Sequence, residues 1–209
     1  MNPSPPPTIE TEVKFHLSDP DRLRDRLLAL GARSRGRRHE HNLRFDDPDG
    51  RLTRAHSLLR LRRDDACMLT FKAPVPGADP AFKQMTEIEV RVSDHARMQA
   101  ILAALGFRPV QTYEKRRESF ELGATVFCLD EMPFGHFLEI EAGPDAIRAD
   151  AERLGLRWEN RILLAYLGIF ELLRRHYALP FTDLTFERFQ GLSVDLGPLL
   201  PEIEAGPAR

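Results

Sequence analysis

The chain has 209 residues, of which 42% are hydrophobic and 30% are charged, so it can bury a core and carries more charge than the average of about 25%. A formal net charge of −2 argues against a general nucleic-acid binder, for which a strongly basic domain is expected. Two cysteines cannot form a disulfide framework, no signal-peptide pattern opens the chain, and the longest apolar run, from Ile162 to Phe170, is far shorter than the roughly 20 residues of a membrane helix. These features predict one cytoplasmic domain that does not associate with membranes.

A strand opens the predicted domain, directly after a proline-rich leader at residues 1–8 that we expect to be disordered. Between residues 9 and 15, Glu10, Glu12 and Lys14 alternate with mostly apolar residues. This period of two predicts a strand that presents all three charges on one face and the apolar set on the other. A single surface strand can look like this by chance, so the pattern gains weight only if it returns along the chain.

A helix follows the first strand and precedes a strongly basic segment. Ser18 or Asp19 can cap this helix, Pro20 fits its first turn, and Gly31 ends it. Residues 33–39 then contain four arginines and one histidine, and we interpret this basic run as a solvated loop. The alternative interpretation is an electrostatic funnel for an anionic substrate.

The alternation of charged and apolar residues returns in five later segments. An open sheet with one solvated face would more usually scatter Ser, Thr, Gln and Lys there. Charges of both signs on one face of many strands instead favour a closed barrel, which would bring them around one cavity. In chain order, the residues on the repeated face are Arg60 and Arg62; Thr70 and Lys72; Glu87, Glu89 and Arg91; Lys115 and Arg117; and Glu139 and Glu141.

The remaining segments predict a loop, helices and an irregular end. Residues 73–82 contain three prolines and a glycine and are predicted to be a loop between strands. Beyond residue 177 the prolines and glycines predict an irregular tail over residues 178–209, either packed over one end of the barrel or partly disordered. The predicted domain therefore spans residues 9–177. Further helices are predicted in three segments, residues 94–105, 144–154 and 159–175.

The two kinds of charge suit two parts of one ligand. Carboxylates at positions i and i+2 of one strand face, such as Glu10 and Glu12, are spaced to share a hard cation such as Mg²⁺ or Mn²⁺. Arginines and lysines on neighbouring strands supply donors for phosphate oxygens. An unpaired buried charge costs several kcal/mol, whereas interleaved acids and bases can coexist in a wet cavity. The pattern therefore predicts a cavity for a polyphosphate bound to a divalent metal.

A series of short motifs carries a resemblance to a known family. In chain order these motifs are Glu10-x-Glu12-x-Lys14, the turn from Arg44 to Leu52, Leu59-Arg60-Leu61-Arg62, Leu69-Thr70-Phe71-Lys72, Thr86-Glu87-Ile88-Glu89, Glu114-Lys115-Arg116-Arg117, Leu129-Asp130, and Gly135 to Glu141. Together they resemble the CYTH superfamily, the triphosphate tunnel metalloenzymes, from about residue 9 to residue 173. The resemblance implies an α+β fold in which an eight-stranded antiparallel barrel, closed or nearly closed, is flanked by helices.

The resemblance also implies roles for individual residues in a metal-dependent enzyme. Glu10, Glu12 and Lys14 would be catalytic. Glu87 and Glu89 would either contact the metal or orient the bases, and Arg91 near a strand end could be a solvated charge. The implied metal ligands are Glu10, Glu12, Asp130, Glu139 and Glu141, with Mg or Mn as the ion. The implied substrate-binding residues are Lys14, Arg60, Arg62, Lys72, Lys115 and Arg117.

Two reactions fit these motifs. We expect hydrolysis of tripolyphosphate, ATP or thiamine triphosphate, because prolines at residues 5–7 take the place where class IV adenylate cyclases often carry a His-Phe pair. A class IV cyclase that makes cyclic AMP and pyrophosphate remains the alternative, since the length and the Arg44–Leu52 turn are also similar to those of cyclases. A non-catalytic polyphosphate or nucleotide binder would not require so many carboxylates. We expect a monomer or homodimer that binds no specific nucleic acid.

Overall fold

The computed structural model describes residues 8–205. The predicted leader therefore lies outside the described residues, except for Thr8, which begins the first strand. The strands are β1 (Thr8–Leu17), β2 (Arg33–Asp46), β3 (Leu58–Arg63), β4 (Cys67–Pro74), β5 (Lys83–Val92), β6 (Arg108–Leu122), β7 (Thr125–Met132) and β8 (Gly135–Glu141). The α-helices within this range are α1 (Pro20–Ala29), α2 (Arg51–Arg54), α3 (His95–Ala104), α4 (Pro144–Arg153), α5 (Tyr166–His176) and α6 (Leu200–Ile203). No helix between residues 8 and 205 combines the length and the apolar character needed to cross a bilayer.

The eight strands form a closed antiparallel barrel in the order β1-β5-β4-β3-β2-β6-β7-β8, which confirms the predicted fold. β1 closes the barrel by pairing with β5 along its first half and with β8 along its second. Glu12 therefore lies opposite Lys83 on one side and Glu141 on the other. Because side chains alternate across each strand, every second residue of β1 to β8 projects into the barrel interior.

The main hydrophobic core lies on the outer wall of the barrel, beneath helices α1 and α4. Val13 on β1 and Ile140 on β8 are fully buried there against Leu27 of α1 and Ile147 of α4. Each such side chain contributes about 1.5–3 kcal/mol through its removal from water. The apolar half of each alternating strand therefore stabilises the fold, which leaves the other half free to carry charge.

The first helix and the two that follow β5 and β8 begin and end close to where the sequence predicts. The Asp19 carboxylate accepts a hydrogen bond from the backbone N–H of Arg22 at 3.0 Å and caps α1, with Pro20 in the first turn. Asp94 caps α3 in the same way. These side chains satisfy backbone donors that a helix N-terminus otherwise leaves unpaired.

One predicted loop assignment is wrong, and another begins two residues too early. The basic run at residues 33–39 belongs to β2, a strand of 14 residues that pairs along its length with β6, which has 15. This end of β2 is exposed on both sides, so it carries polar residues on both faces and shows no alternation of polar and apolar residues that would predict a strand. The arginines of the run are solvated, as expected. The loop predicted over residues 73–82 begins later than expected, since β4 extends to Pro74.

The helix predicted from residue 159 begins seven residues later, at Tyr166. Residues 158–160 form a single 3₁₀ turn, and Ile162 then takes an extended conformation. Its backbone accepts a hydrogen bond from Lys14 N–H at 3.1 Å and donates one to the Lys14 carbonyl at 2.6 Å. Pairing with β1 thus overrides the helical propensity of this segment.

Residues 178–205 pack against α5 and one side of the barrel. Leu184 bridges to Tyr113 of β6, and Glu204 bridges to Ile162. The segment contributes Leu179, Phe189 and other apolar side chains to a second buried cluster, which also contains Phe170 of α5. This cluster holds α5 against the barrel and so fixes the position of its first turn.

Candidate active site

The barrel encloses a cavity of about 690 Å³ whose walls are charged. Its size lies within the range of small-molecule sites, roughly 300–1,000 Å³. The structure brings most of the predicted inward charges to these walls: Glu10, Glu12, Lys14, Arg60, Arg62, Lys72, Glu87, Glu89, Lys115, Arg117, Glu139 and Glu141. Two predicted residues do not line the cavity. Arg91 is exposed near the end of β5, and Asp130 is buried behind the cavity wall.

Three carboxylates form an acidic cluster at one side of the cavity. One carboxylate oxygen from each of Glu10, Glu12 and Glu141 lies within 4.8 Å of the other two. The cluster arises because Glu12 and Glu141 are opposite each other on β1 and β8, and Glu10 projects to the same side two residues earlier. Three close carboxylate oxygens are the ligands that a hard divalent cation prefers.

The protonation of this cluster also fits a cation site. Burial raises the pKa of Glu141 to about 7, and the neighbouring carboxylates Glu139 and Glu12 add to this effect. Burial likewise raises the pKa of Glu10. Burial opposes the ionisation of Glu12 too, but Lys83 and Lys14 outweigh it and lower the pKa of Glu12 to about 2. The three acids of the cluster lie so close together that their ionised forms repel one another, and a bound cation would stabilise those ionised forms.

Glu139 and Asp130, two of the ligands implied by the resemblance, are held by bases. The Glu139 carboxylate lies 2.9 Å from the Lys14 ammonium and also contacts Arg117. Asp130 accepts two hydrogen bonds of 2.6 Å from Arg117 and one of 3.3 Å from Lys115. Neither of these two acids belongs to the group of close carboxylate oxygens that Glu10, Glu12 and Glu141 form.

The basic wall of the cavity is held in place by hydrogen bonds and ion pairs. The Lys72 ammonium lies between Glu10 and Glu87, at 2.6 Å from Glu87. Arg60 donates to the Thr70 hydroxyl at 3.2 Å, and that hydroxyl donates to Glu89 at 2.7 Å. Arg60 and Lys72 are therefore oriented before any ligand binds, which lowers the entropic cost of binding an anion.

Unpaired polar atoms near this wall indicate capacity for further hydrogen bonds. In the described part of the chain, the Nε atom of Arg60 and both side-chain amide atoms of Asn42 are buried without a hydrogen-bond partner. Asn42 is fully buried on β2, opposite Arg62 of β3. Buried polar groups are normally paired, so unpaired ones commonly mark a water or ligand position.

Sequence reasoning missed four residues of the site. Lys83 donates to Glu12 at 2.7 Å, and Glu40 lies close to Lys115 and Arg117, which outweigh the effect of burial and lower the pKa of Glu40 to about 2. Lys83 follows the period of two in β5, two residue pairs before Glu87, so extending that predicted strand would have found it. Glu40 lies on β2, where the sequence predicts no strand. Tyr113 and Tyr166 also line the cavity; Tyr166 comes from a helix, and no sequence signal indicates its position.

Comparison with known proteins places this barrel among related folds. Residues 8–162 match the family model of the CYTH domain. A protein of Methanocaldococcus jannaschii, provisionally named an adenylate cyclase, is 29% identical over 135 residues, which are 64% of this chain and 76% of that protein. The PH1012 protein of Pyrococcus horikoshii is 27% identical with a TM-score of 0.65, over 75% of this chain and 96% of that one. A Hippeastrum protein, provisionally named an adenylyl cyclase and described as having a dominant triphosphatase activity, shares the fold at 18% identity and a TM-score of 0.57, over 78% of this chain and 95% of that one.

Proposed function

The chain belongs to the CYTH domain family, and on this premise we propose that it is a divalent-metal-dependent enzyme that hydrolyses a triphosphate, either inorganic or organic. One observation carries the proposal: a single cavity joins a cluster of three carboxylates to a wall of arginines and lysines. An anion-binding module would need the bases without the crowded acids. A cation-binding module would need the acids without the bases.

The basic wall supplies the recognition of the phosphate chain. Arg60, Lys72 and Arg117 are paired with acids on nearby strands of the barrel, and phosphate oxygens can take over some of these contacts. Hydrogen bonds between such bases and phosphate are charge-assisted and therefore stronger than neutral ones. In phosphoryl transfer the same groups stabilise the negative charge that spreads over the oxygens of the transferred phosphoryl group.

The acidic cluster would hold the metal. Glu10, Glu12 and Glu141 offer oxygen ligands from two adjacent strands, a donor set suited to Mg or Mn. When bound, such an ion supplies positive charge to the phosphate oxygens and makes an attached water more acidic. Lys83 and Lys14 keep Glu12 ionised, so that carboxylate is ready to act as a ligand without losing a proton.

The aromatic residues of the cavity favour hydrolysis over cyclisation. A cyclase must also bind the nucleoside, since the ribose 3′-hydroxyl has to be held in line with the α-phosphorus. Both tyrosines in the cavity wall are buried, and the Tyr166 ring lies under the ammonium groups of Lys14 and Lys115. Neither ring presents an open face on which an adenine could stack. Recognition through phosphates alone is sufficient for a triphosphatase.

Adenylate cyclase activity is the second candidate function. Leu58, Pro74 and Met85 add an apolar strip to the charged cavity wall, and a nucleoside could pack against it. The M. jannaschii relative carries an adenylate cyclase name. Both activities need the same acids and the same basic wall, so only the products distinguish them.

The experiment is incubation of the purified protein with tripolyphosphate, ATP and thiamine triphosphate, each with Mg²⁺ or Mn²⁺, followed by identification of the products. We expect cleavage of tripolyphosphate to phosphate and pyrophosphate and no reaction with excess chelator. Glu121→Gln is a suitable control for loss of a carboxylate, because Glu121 pairs with Arg33 and Arg35 on the outer surface. Cyclic AMP and pyrophosphate from ATP, with tripolyphosphate intact, would establish the cyclase. Binding of all three compounds without turnover would establish a non-catalytic binder.

A further inference from the structure

Tyr166 connects α5 to the charged groups of the cavity, although it lies beyond the CYTH match at residues 8–162. We propose that Tyr166 is a positioning residue: it keeps Asp130 hydrogen-bonded, so that Arg117 and Lys115 can turn to the phosphate oxygens of the substrate. The proposal rests on the function proposed above and assigns a part of the substrate-binding machinery to the helix outside the matched domain.

The hydroxyl of Tyr166 shares one carboxylate oxygen with the two bases. It donates to Asp130 Oδ2 at 2.8 Å. The same oxygen accepts from Arg117 Nη2 at 2.6 Å and from Lys115 Nζ at 3.3 Å. Because the Asp130 side chain is completely buried, it has no access to bulk water, and any donor it loses must be replaced from within the site.

The ring of Tyr166 fixes the two lysines that flank this carboxylate. The Lys14 ammonium lies 4.6 Å from the ring centroid and the Lys115 ammonium 5.5 Å from it. Both distances are within the range of a cation–π interaction. Phe137 packs edge-on against the same ring, with 5.2 Å between centroids. Tyr166 therefore contacts both lysines through its ring and, through its hydroxyl, the acid that pairs with Arg117.

The Tyr166 hydroxyl affects substrate binding because Asp130 and the bound phosphate compete for Arg117 and Lys115. A buried carboxylate and a bound phosphate attract the same bases, and the stronger the hold of Asp130, the weaker the binding of the phosphate. The phenol is a neutral donor at pH 7, since its ordinary pKa is about 10, and its packed ring keeps it beside Asp130. Without the hydroxyl, Asp130 has only Arg117 and Lys115 as hydrogen-bond donors within the described residues and therefore holds them more strongly. The phosphate must then compete against these stronger contacts in order to bind.

The test compares Tyr166→Phe with the matched control Tyr177→Phe. Tyr177 follows the last residue of the same helix, and its hydroxyl donates to the Asp195 carbonyl outside the cavity. Tripolyphosphate binding is measured by calorimetry, and kcat and KM are measured at saturating Mg²⁺. We expect Tyr166→Phe to raise the Kd and KM for tripolyphosphate about tenfold, the effect of losing one hydrogen bond to a charged group. We expect kcat to stay within about twofold of wild type, because the acidic cluster is untouched.

Further variants and outcomes decide between this role and others. Tyr166→Leu also removes the ring from both lysines and should raise the Kd further, whereas Tyr177→Phe should leave it unchanged. Unchanged binding by Tyr166→Phe would overturn the proposal. The proposal would also be overturned if Tyr166→Phe left the KM for tripolyphosphate unchanged but altered the Mg²⁺ concentration needed for activity, since Tyr166 would then act through a metal ligand. A wild type that binds tripolyphosphate without cleaving it would disprove the hydrolase while calorimetry still decides the role of Tyr166. A wild type that does not bind it would overturn both proposals.

Discussion

The acidic cluster predicts that the metal-free protein becomes less stable as the pH rises, because burial raises the pKa of both Glu141 and Glu10; Glu141 is the group that we test. Burial raises the pKa of Glu141 from 4.5 to about 7. The folded state therefore binds more protons than the unfolded state between these values. The stability that Glu141 contributes by staying protonated is fully present below pH 4.5 and is lost as the pH rises through 7.

The size of the effect follows from the same two pKa values. The rise from 4.5 to about 7 corresponds to roughly 3 kcal/mol in the free energy of unfolding. Glu12 and Glu40, whose pKa values are lowered to about 2, titrate below this window and do not contribute to the change. His16 and His95 act in the opposite direction below pH 6.5, because burial lowers their pKa.

Urea unfolding of the wild type and of Glu141→Gln, in chelator at pH 5, 6, 7 and 8, separates Glu141 from these other groups. Glutamine resembles the protonated acid at every pH, so groups distant from Glu141, such as His16 and His95, cancel in the difference between the two proteins. We expect that difference to move by about 2.5 kcal/mol in favour of the variant between pH 5 and pH 8, since part of the full effect is already present at pH 5. Adding Mg²⁺ at pH 8 should stabilise the wild type more than the variant. A difference that stays constant from pH 5 to pH 8 would refute the reasoning.

The remaining predictions concern the substrate and the metal. Arg60→Ala should weaken tripolyphosphate binding by about 1.5–3 kcal/mol, the range for hydrogen bonds to charged groups, whereas Arg63→Ala, on the outer face of β3, should not; equal losses in calorimetry would contradict the assigned register. Glu10→Gln should abolish metal-dependent turnover without lowering the melting temperature, because it removes one of three crowded carboxylates; wild-type turnover by this variant would disprove the ion site. Tripolyphosphate should yield phosphate and pyrophosphate, and its survival beside cyclic AMP formation from ATP would reverse the choice of reaction.

The barrel could be predicted because its alternation is unusually easy to read. In the centre of β1 and β8 the outward residues Val13, Phe15, Leu138 and Ile140 are apolar and buried, whereas the inward residues Glu12, Lys14, Glu139 and Glu141 are charged. A shift of one residue would bury Glu10 and Glu12 in the outer core and expose Val13, so the register is strongly determined. Knowing which residues point inward is then enough to predict which charged side chains line the cavity. The prediction holds for every inward charge except Arg91, which lies near the end of β5, and Asp130, which is buried and does not line the cavity.

The parts that could not be predicted depend on contacts between distant segments. Residues 33–39 show no alternation of polar and apolar residues, because this end of β2 is exposed on both sides. These residues form a strand only because they pair with β6. Tyr166 reaches the cavity because Ile162 pairs with Lys14 and delays the start of α5. Neither pairing leaves a periodic signal in its own segment, so neither can be found by reading that segment alone.

The placement of the core outside the barrel has a consequence for how sequence changes divide between stability and function. Val13 and Phe15 on β1 contact the outer core, while Glu12 and Lys14 on the same strand face the cavity. Truncating a buried apolar side chain there removes packing that costs about 2–5 kcal/mol. Neutralising an inward charge has an effect that depends on its sign: removing one of the crowded carboxylates relieves repulsion, whereas removing a base such as Arg117 leaves the buried Asp130 with fewer partners, which costs about 3–5 kcal/mol. The acidic cluster can therefore lose a carboxylate at little cost to the fold, whereas the bases of the cavity wall cannot be removed without leaving the acids that they pair with exposed to a large energetic penalty.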